Sequence, residues 1–95
     1  MKIVWRPMAE ADRENIFDYI ALDNPQAALE LDEAFKTKVE IAARNPKLYK
    51  VGRMRGTREI VVRPNYLMVF HIDDENDTLV VLLVLHAAQQ WPSIK

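Results

Sequence analysis

The chain predicts an α+β fold: an N-terminal strand, then an antiparallel helical hairpin packed on a mostly antiparallel sheet, in the order β-α-α-β-β-β-β. Three observations carry that reading. Apolar residues recur at spacings of three and four through the first half, the period of a half-buried helix. From Tyr49 the period changes, and β-branched and aromatic residues take over. Asn45-Pro46 separates the two regimes, because the residue before a proline is driven out of the helical region.

Residues 2–5 form a short β-type run, with Ile3 and Trp5 on one face, and Pro7 ends it. Residues 8–22 read as a helix whose stripe holds Ala9, Ile16, Tyr19 and Ile20. Glu10, Asp12 and Glu14 fall in its first turns, where the helix dipole favours negative charge. Asn24-Pro25 restarts the helix, asparagine being a good N-cap and proline suiting the first helical position. The second helix runs from Pro25 to about Arg44 on a stripe of Ala28, Leu31, Phe35, Val39 and Ala42. Four strands follow, near residues 49–54, 59–63, 66–72 and 79–86. The last is almost continuously apolar, as a central strand buried on both faces should be. Between them lie hairpin-like breaks at Arg55-Gly56-Thr57, Pro64-Asn65 and residues 73–77. The segment 87–95, with Trp91-Pro92, reads as a turn or helical stub.

Ninety-five residues, 49% apolar and 28% charged, make one domain spanning residues 1–95. There is no cysteine, hence no disulfide, thiolate metal site or cysteine nucleophile. The N-terminus lacks the apolar core of a signal peptide, and the longest apolar run is too short to cross a bilayer. A soluble, cytoplasmic protein is expected. Its net charge of −1 hides an asymmetry. Between Glu10 and Glu33 there are eight acidic residues and one basic, Arg13; between Arg44 and Arg63 there are seven basic residues and one acidic, Glu59. The basic block is a feature that attracts polyanions or an acidic protein segment.

Within that block Arg53, Arg55, Arg58 and Arg63 are the candidates for binding phosphate or a target. On a regular strand Arg53 and Arg55 share a face. Each alone is an ordinary solvated side chain; as a group they offer guanidinium donors to a phosphate or an acidic peptide. His86 ends the apolar fourth strand, a position from which a histidine can act as general acid or base. Tyr66 opens the third long run and could orient a phosphate. His71 sits mid-strand, where a structural role is expected; Trp91 could stack on a base but fits better as a plug at the core's edge. Gln89 and Gln90 carry no signal. With only Gly52 and Gly56 there is no glycine-rich phosphate loop, and no metal-ligand spacing stands out. Ser93 is the sole serine. An enzyme built from these residues works without metal or cofactor. Cleaving RNA through its 2′-hydroxyl needs only a base, an acid and cations for the phosphorane charge.

The segments AEADRENIFDYIA, ARNP, GTREIVVRPNYLMVFHI and VVLLVLHAAQQWP, in this order, give the chain a resemblance to the toxins of the RelE/ParE superfamily. That resemblance implies the fold just derived and the growth-arresting half of a type II toxin–antitoxin module. It also implies a cognate antitoxin docking on the basic sheet face. RelE-type members are ribosome-dependent mRNA endonucleases; ParE-type members poison DNA gyrase. Arg53, Arg55 and Arg63 match positions where nuclease members place basic residues, with Arg55, Arg63 and His86 the catalytic set under that alternative. Ala88 stands where many relatives carry arginine, and AEAD and VLH look closer to ParE, so the gyrase-directed reading is favoured. A second alternative is a non-catalytic binding module.

Overall fold

The computed structural model describes residues 1–88; the expectations for Gln89, Gln90 and Trp91-Pro92 lie outside the described residues. The elements are β1 (Lys2–Trp5), α1 (Pro7–Ala21), α2 (Pro25–Arg44), a 3-10 turn (Pro46–Leu48), β2 (Arg58–Val62), β3 (Tyr66–Asp73) and β4 (Thr78–His86). The sheet order is β1-β4-β3-β2, with β1 parallel to β4 and the other neighbours antiparallel. β4 is thus central, as its apolar run predicts.

Both helices pack on one face of this sheet. The stripe of α2 is buried as expected at Ala28, Leu31, Phe35, Val39 and Ala42, and Asn24 caps the helix by accepting the Ala27 N–H at 3.0 Å. In α1, Ala9 is buried and Ile16 and Ile20 pack on the core, but Tyr19 is 76% exposed. At 3.6 residues per turn, Tyr19 lies roughly 80° off the line through Ala9, Ile16 and Ile20, far enough to reach solvent. Below the helices Ile60, Val62, Met68, Phe70, Leu79, Val81 and Val84 complete the core.

Two adjacent side chains of α1 tie the layers together. Arg13 forms a two-pronged bond to Asp32 of α2, Nε to Oδ1 at 2.9 Å and the terminal nitrogen to Oδ2 at 2.7 Å. Its guanidinium also stacks 4.4 Å from the ring centroid of Trp5 on β1. Asp12 accepts the backbone N–H of Val84 at 2.9 Å. β1 ends at Trp5, opposite Val81, and a bulge leaves Leu82 without a partner in the β3 register. Past that point α1 supplies an acceptor in place of a neighbouring strand.

The expected strand at 49–54 does not form. Only Val51 bridges to Arg58, while Gly52–Thr57 folds over in a loop. Gly52 donates to Thr57 O at 2.7 Å, and a Cβ on Gly52 would overlap the Thr57 hydroxyl oxygen. Gly56, at φ 79°, turns the chain back. β-branched content at one end of the segment could not outweigh that loop chemistry.

Deleting an acceptor from a half-buried N–H costs about 1–3 kcal/mol. Asp12→Ala should lose that much in urea unfolding, whereas Asp18→Ala, exposed on the same helix, should stay within about 0.5 kcal/mol of the parent. In the turn after β3, the Asp73 carboxyl is held below its ordinary value of 3.8, first by the Asn76 side-chain amide and then by the Asn76 backbone N–H. A depressed carboxyl stabilises the fold above the unfolded value, and that contribution disappears as pH falls through the lower folded value. An NMR titration should place Asp73 below 3.8, and Asn76→Ala should move it back up; a midpoint at or above 3.8 in the parent contradicts the bonding.

Candidate functional site

The register decides which candidates can meet. One row across the sheet is Val62, Tyr66 and His86; the next is Val61, Leu67 and Leu85. Successive residues alternate faces, so these rows lie on opposite sides. Tyr66 is on the helical side: its ring meets Phe35 of α2 edge-on at 6.0 Å, and His86 meets Tyr66 edge-on at 5.2 Å. His86 therefore extends an aromatic chain at the rim of the main core. Its Nδ1 accepts the Ala88 N–H at 3.0 Å, which assigns the ring proton to Nε2 in the neutral form.

The four arginines separate. Arg53 lies in the loop over the face away from the helices, where Glu59 receives both its backbone N–H at 3.0 Å and its Nε at 3.5 Å. The Glu59 side chain is 1% exposed and that of Arg53 47%. Arg55 is exposed beside Gly56 at the loop's tip. Arg58 has the facing of Ile60 and Val62 and donates to Tyr49 O at 2.7 Å. Arg63 is not in a strand; it occupies the three-residue connection from β2 to β3 at φ 63°, a left-handed conformation costly for a non-glycine residue and unusual before proline. Arg63 and His86 flank one end of the sheet, while the Gly52–Thr57 loop joins the other end of β2. His71 donates Nδ1–H to Gly56 O at 3.0 Å, pinning that loop.

The face away from the helices is largely apolar. Its two rows hold Val61, Leu67 and Leu85, then Glu59, Val69 and Leu83. Leu67, Val69 and Leu85 form a second apolar cluster with Leu82 and Leu83. Beside it Arg6, Pro7, Met8, Met54, Leu82 and Leu83 line a groove of about 590 Å³. Met8 is 60% and Met54 44% exposed, and such flexible side chains suit an adaptable contact surface. Neither methionine was legible as a site residue, since they lie 46 positions apart in the chain. Among the described residues no cluster of three metal-ligating side chains occurs, and no helix is long and apolar enough to cross a membrane.

Glu59 is the residue on which the loop's placement turns. Glu59→Gln keeps the shape and loses the charge, so it should cost about 1–3 kcal/mol and speed hydrogen exchange at the Arg53 amide. Unchanged exchange at Arg53 would show that the carboxylate does not hold the loop.

Comparison with known proteins agrees with this architecture. The family described as "ParE toxin of type II toxin-antitoxin system, parDE" matches residues 3–91. The Sinorhizobium fredii protein named "Putative toxin Y4kP" is 32% identical over 94 residues, covering 98% of this chain and 95% of its own. Among solved structures, the chromosomal ParDE system of P. aeruginosa superposes with a TM-score of 0.78 at 17% identity, over 90% of this chain and 95% of that one. The isolated RelE toxin of E. coli gives 0.67 at 17% identity, over 95% and 87%. The RelBE2 complex of Mycobacterium tuberculosis gives 0.63 at 23% identity, over 90% and 95%. At these identities the structures show a shared fold, and the family match with the sequence relative goes further: the chain belongs to the ParE toxin family of type II toxin–antitoxin systems.

Proposed function

We propose that this toxin acts as a ParE-like inhibitor of DNA gyrase rather than as a ribosome-dependent nuclease. The observation that carries the reading is the separation of the nuclease candidates. His86 lies on the helical side of the sheet against Tyr66, Arg55 sits on the loop at the far end of β2, and the rows facing away from the helices hold no arginine. Phosphorane charge is stabilised by cations converging on one point in a water-poor site. Exposed arginines spread over a loop and a turn suit protein docking instead, where they steer encounter and set register.

A cognate antitoxin is the second partner in this proposal. Solved structures that share the fold include toxin–antitoxin complexes, RelBE of E. coli and RelBE2 of Mycobacterium tuberculosis among them. The groove of Met8, Met54, Leu82 and Leu83, with Arg6 in its lining and Arg53 next to Met54, fits the apolar side of an amphipathic, acidic segment. The antitoxin-binding surface is then apolar at its centre and basic only at its rim.

The nuclease alternative keeps one supporting observation, the placement of Arg63 and His86 at the same end of the sheet, with Arg63 in a strained conformation. Purified protein assayed with gyrase and DNA, in parallel with programmed ribosomes and mRNA, separates the two. Supercoiling should be blocked, and Arg63→Ala and His86→Ala should each retain that block within about twofold. Arg55→Glu should weaken it on the order of tenfold through lost electrostatic steering. Cleavage of mRNA in the ribosomal A site with supercoiling untouched would sink the gyrase reading.

A further inference from the structure

A cavity of about 330 Å³ opens where β2 begins and β3 ends, away from the methionine-lined groove and from His86. Lys47 from the 3-10 turn, Arg58 from β2 and His71 from β3 line it, with Val51 and Ile72 as an apolar wall and Asp74 as its acid. We propose that this cavity binds a phosphate-bearing small molecule. Lys47 and Arg58 hold the phosphate, and Val51 and Ile72 cover the apolar body.

The charges of this cavity are unspent. Arg13 and Arg53, the other fixed guanidinium groups, each have a carboxylate partner. Lys47 and Arg58 form no ion pair among the described residues. Arg58 is nevertheless fixed in direction, because one terminal N–H donates to Tyr49 O at 2.7 Å. That bond uses one of five donors and holds the planar group for a ligand that takes others. His71 spends the N–H of its neutral ring on Gly56 O at 3.0 Å and lines the wall, offering the anion no further donor. A guanidinium anchored through a backbone carbonyl loses little freedom when an anion arrives, which is how preorganisation raises affinity.

The neighbourhood narrows the ligand. Asp74 repels a second negative charge and accepts hydrogen bonds, so it favours a molecule with hydroxyl or amino groups beyond its phosphate. The volume is at the lower end for small-molecule sites, a match for a single nucleotide-sized ligand. Free phosphate and a nucleoside monophosphate share the anion, and only the second uses the wall and Asp74. Nothing in this assignment depends on whether gyrase or mRNA is the cellular target.

A titration of the full chain with inorganic phosphate and with adenosine 5′-monophosphate at constant ionic strength, followed by amide NMR, tests the site. Saturable shifts are expected at Gly56, Thr57, Arg58, His71 and Ile72, with the nucleotide binding at least tenfold more tightly than phosphate. Lys47→Gln, an exposed position that leaves the fold alone, should weaken binding at least tenfold. Arg58→Gln should do the same, its folding checked by the unchanged pattern of β3 and β4 amides. Shifts that fail to saturate, that appear equally at Lys2 and Arg44, or that survive Lys47→Gln overturn the proposal.

Discussion

Asp12 and Arg13 are neighbours on α1, and they reach different elements. Arg13 joins α2 through Asp32 and β1 through the Trp5 ring; Asp12 holds the Val84 N–H of β4. Together they set the height and rotation of the helical hairpin over the sheet. The placement matters because β1 is only four residues long and β4 runs on past it. Without the helix at that edge, the second half of the central strand would have hydrogen-bond partners on one side only. A bidentate guanidinium–carboxylate bond is directional, so it positions the hairpin as well as attracting it. Thus the charge of the single cation in the acidic stretch is consumed internally, and the carboxylates other than Asp12 and Asp32 face water.

The charge asymmetry of the chain becomes a division of labour in three dimensions. The basic block does not form one surface. Its loop puts Arg53 over one face, where Glu59 neutralises it, and Arg58 under the other, where Tyr49 orients it. What faces outward without an ion pair is the tip of the loop at Arg55 and, beside the cavity, Lys47. The sheet face opposite the helices is closed by aliphatic side chains, of which Leu67, Val69 and Leu85 are buried.

Where periodicity was strong, the sequence was sufficient. The five buried residues of α2 and the Asn24 cap could be read directly, because three-and-four spacing and capping chemistry are local. Tyr19 was misplaced because a tyrosine at the margin of an apolar stripe counts as apolar in a pattern and finds water in a fold. The segment 49–54 read as a strand because pattern is blind to its glycine, Gly52, pressed against a threonine five residues later. The site was less legible for a related reason. Facing follows from register, and the three-residue turn at Arg63 and the bulge at Leu82 both act on register without leaving a signal in the apolar pattern. Hence His86, read as a candidate from its place at a strand end, and Arg53, read from the basic block, fall on opposite faces.

The parallel pairing of β1 with β4 orders the assembly of the molecule. Lys2 meets Thr78 and Trp5 meets Val81, so the first strand waits for the last before it has a hydrogen-bonding neighbour. The hairpin of helices and the β2–β3 pair are local and close early; the contact that completes the sheet closes a loop of most of the chain. During synthesis, residues 2–5 and the underside of α1 stay uncovered until β4 exists. A toxin built this way spends its synthesis as an incomplete sheet with an open edge at β3, and any partner that binds extended apolar chain meets it first in that state.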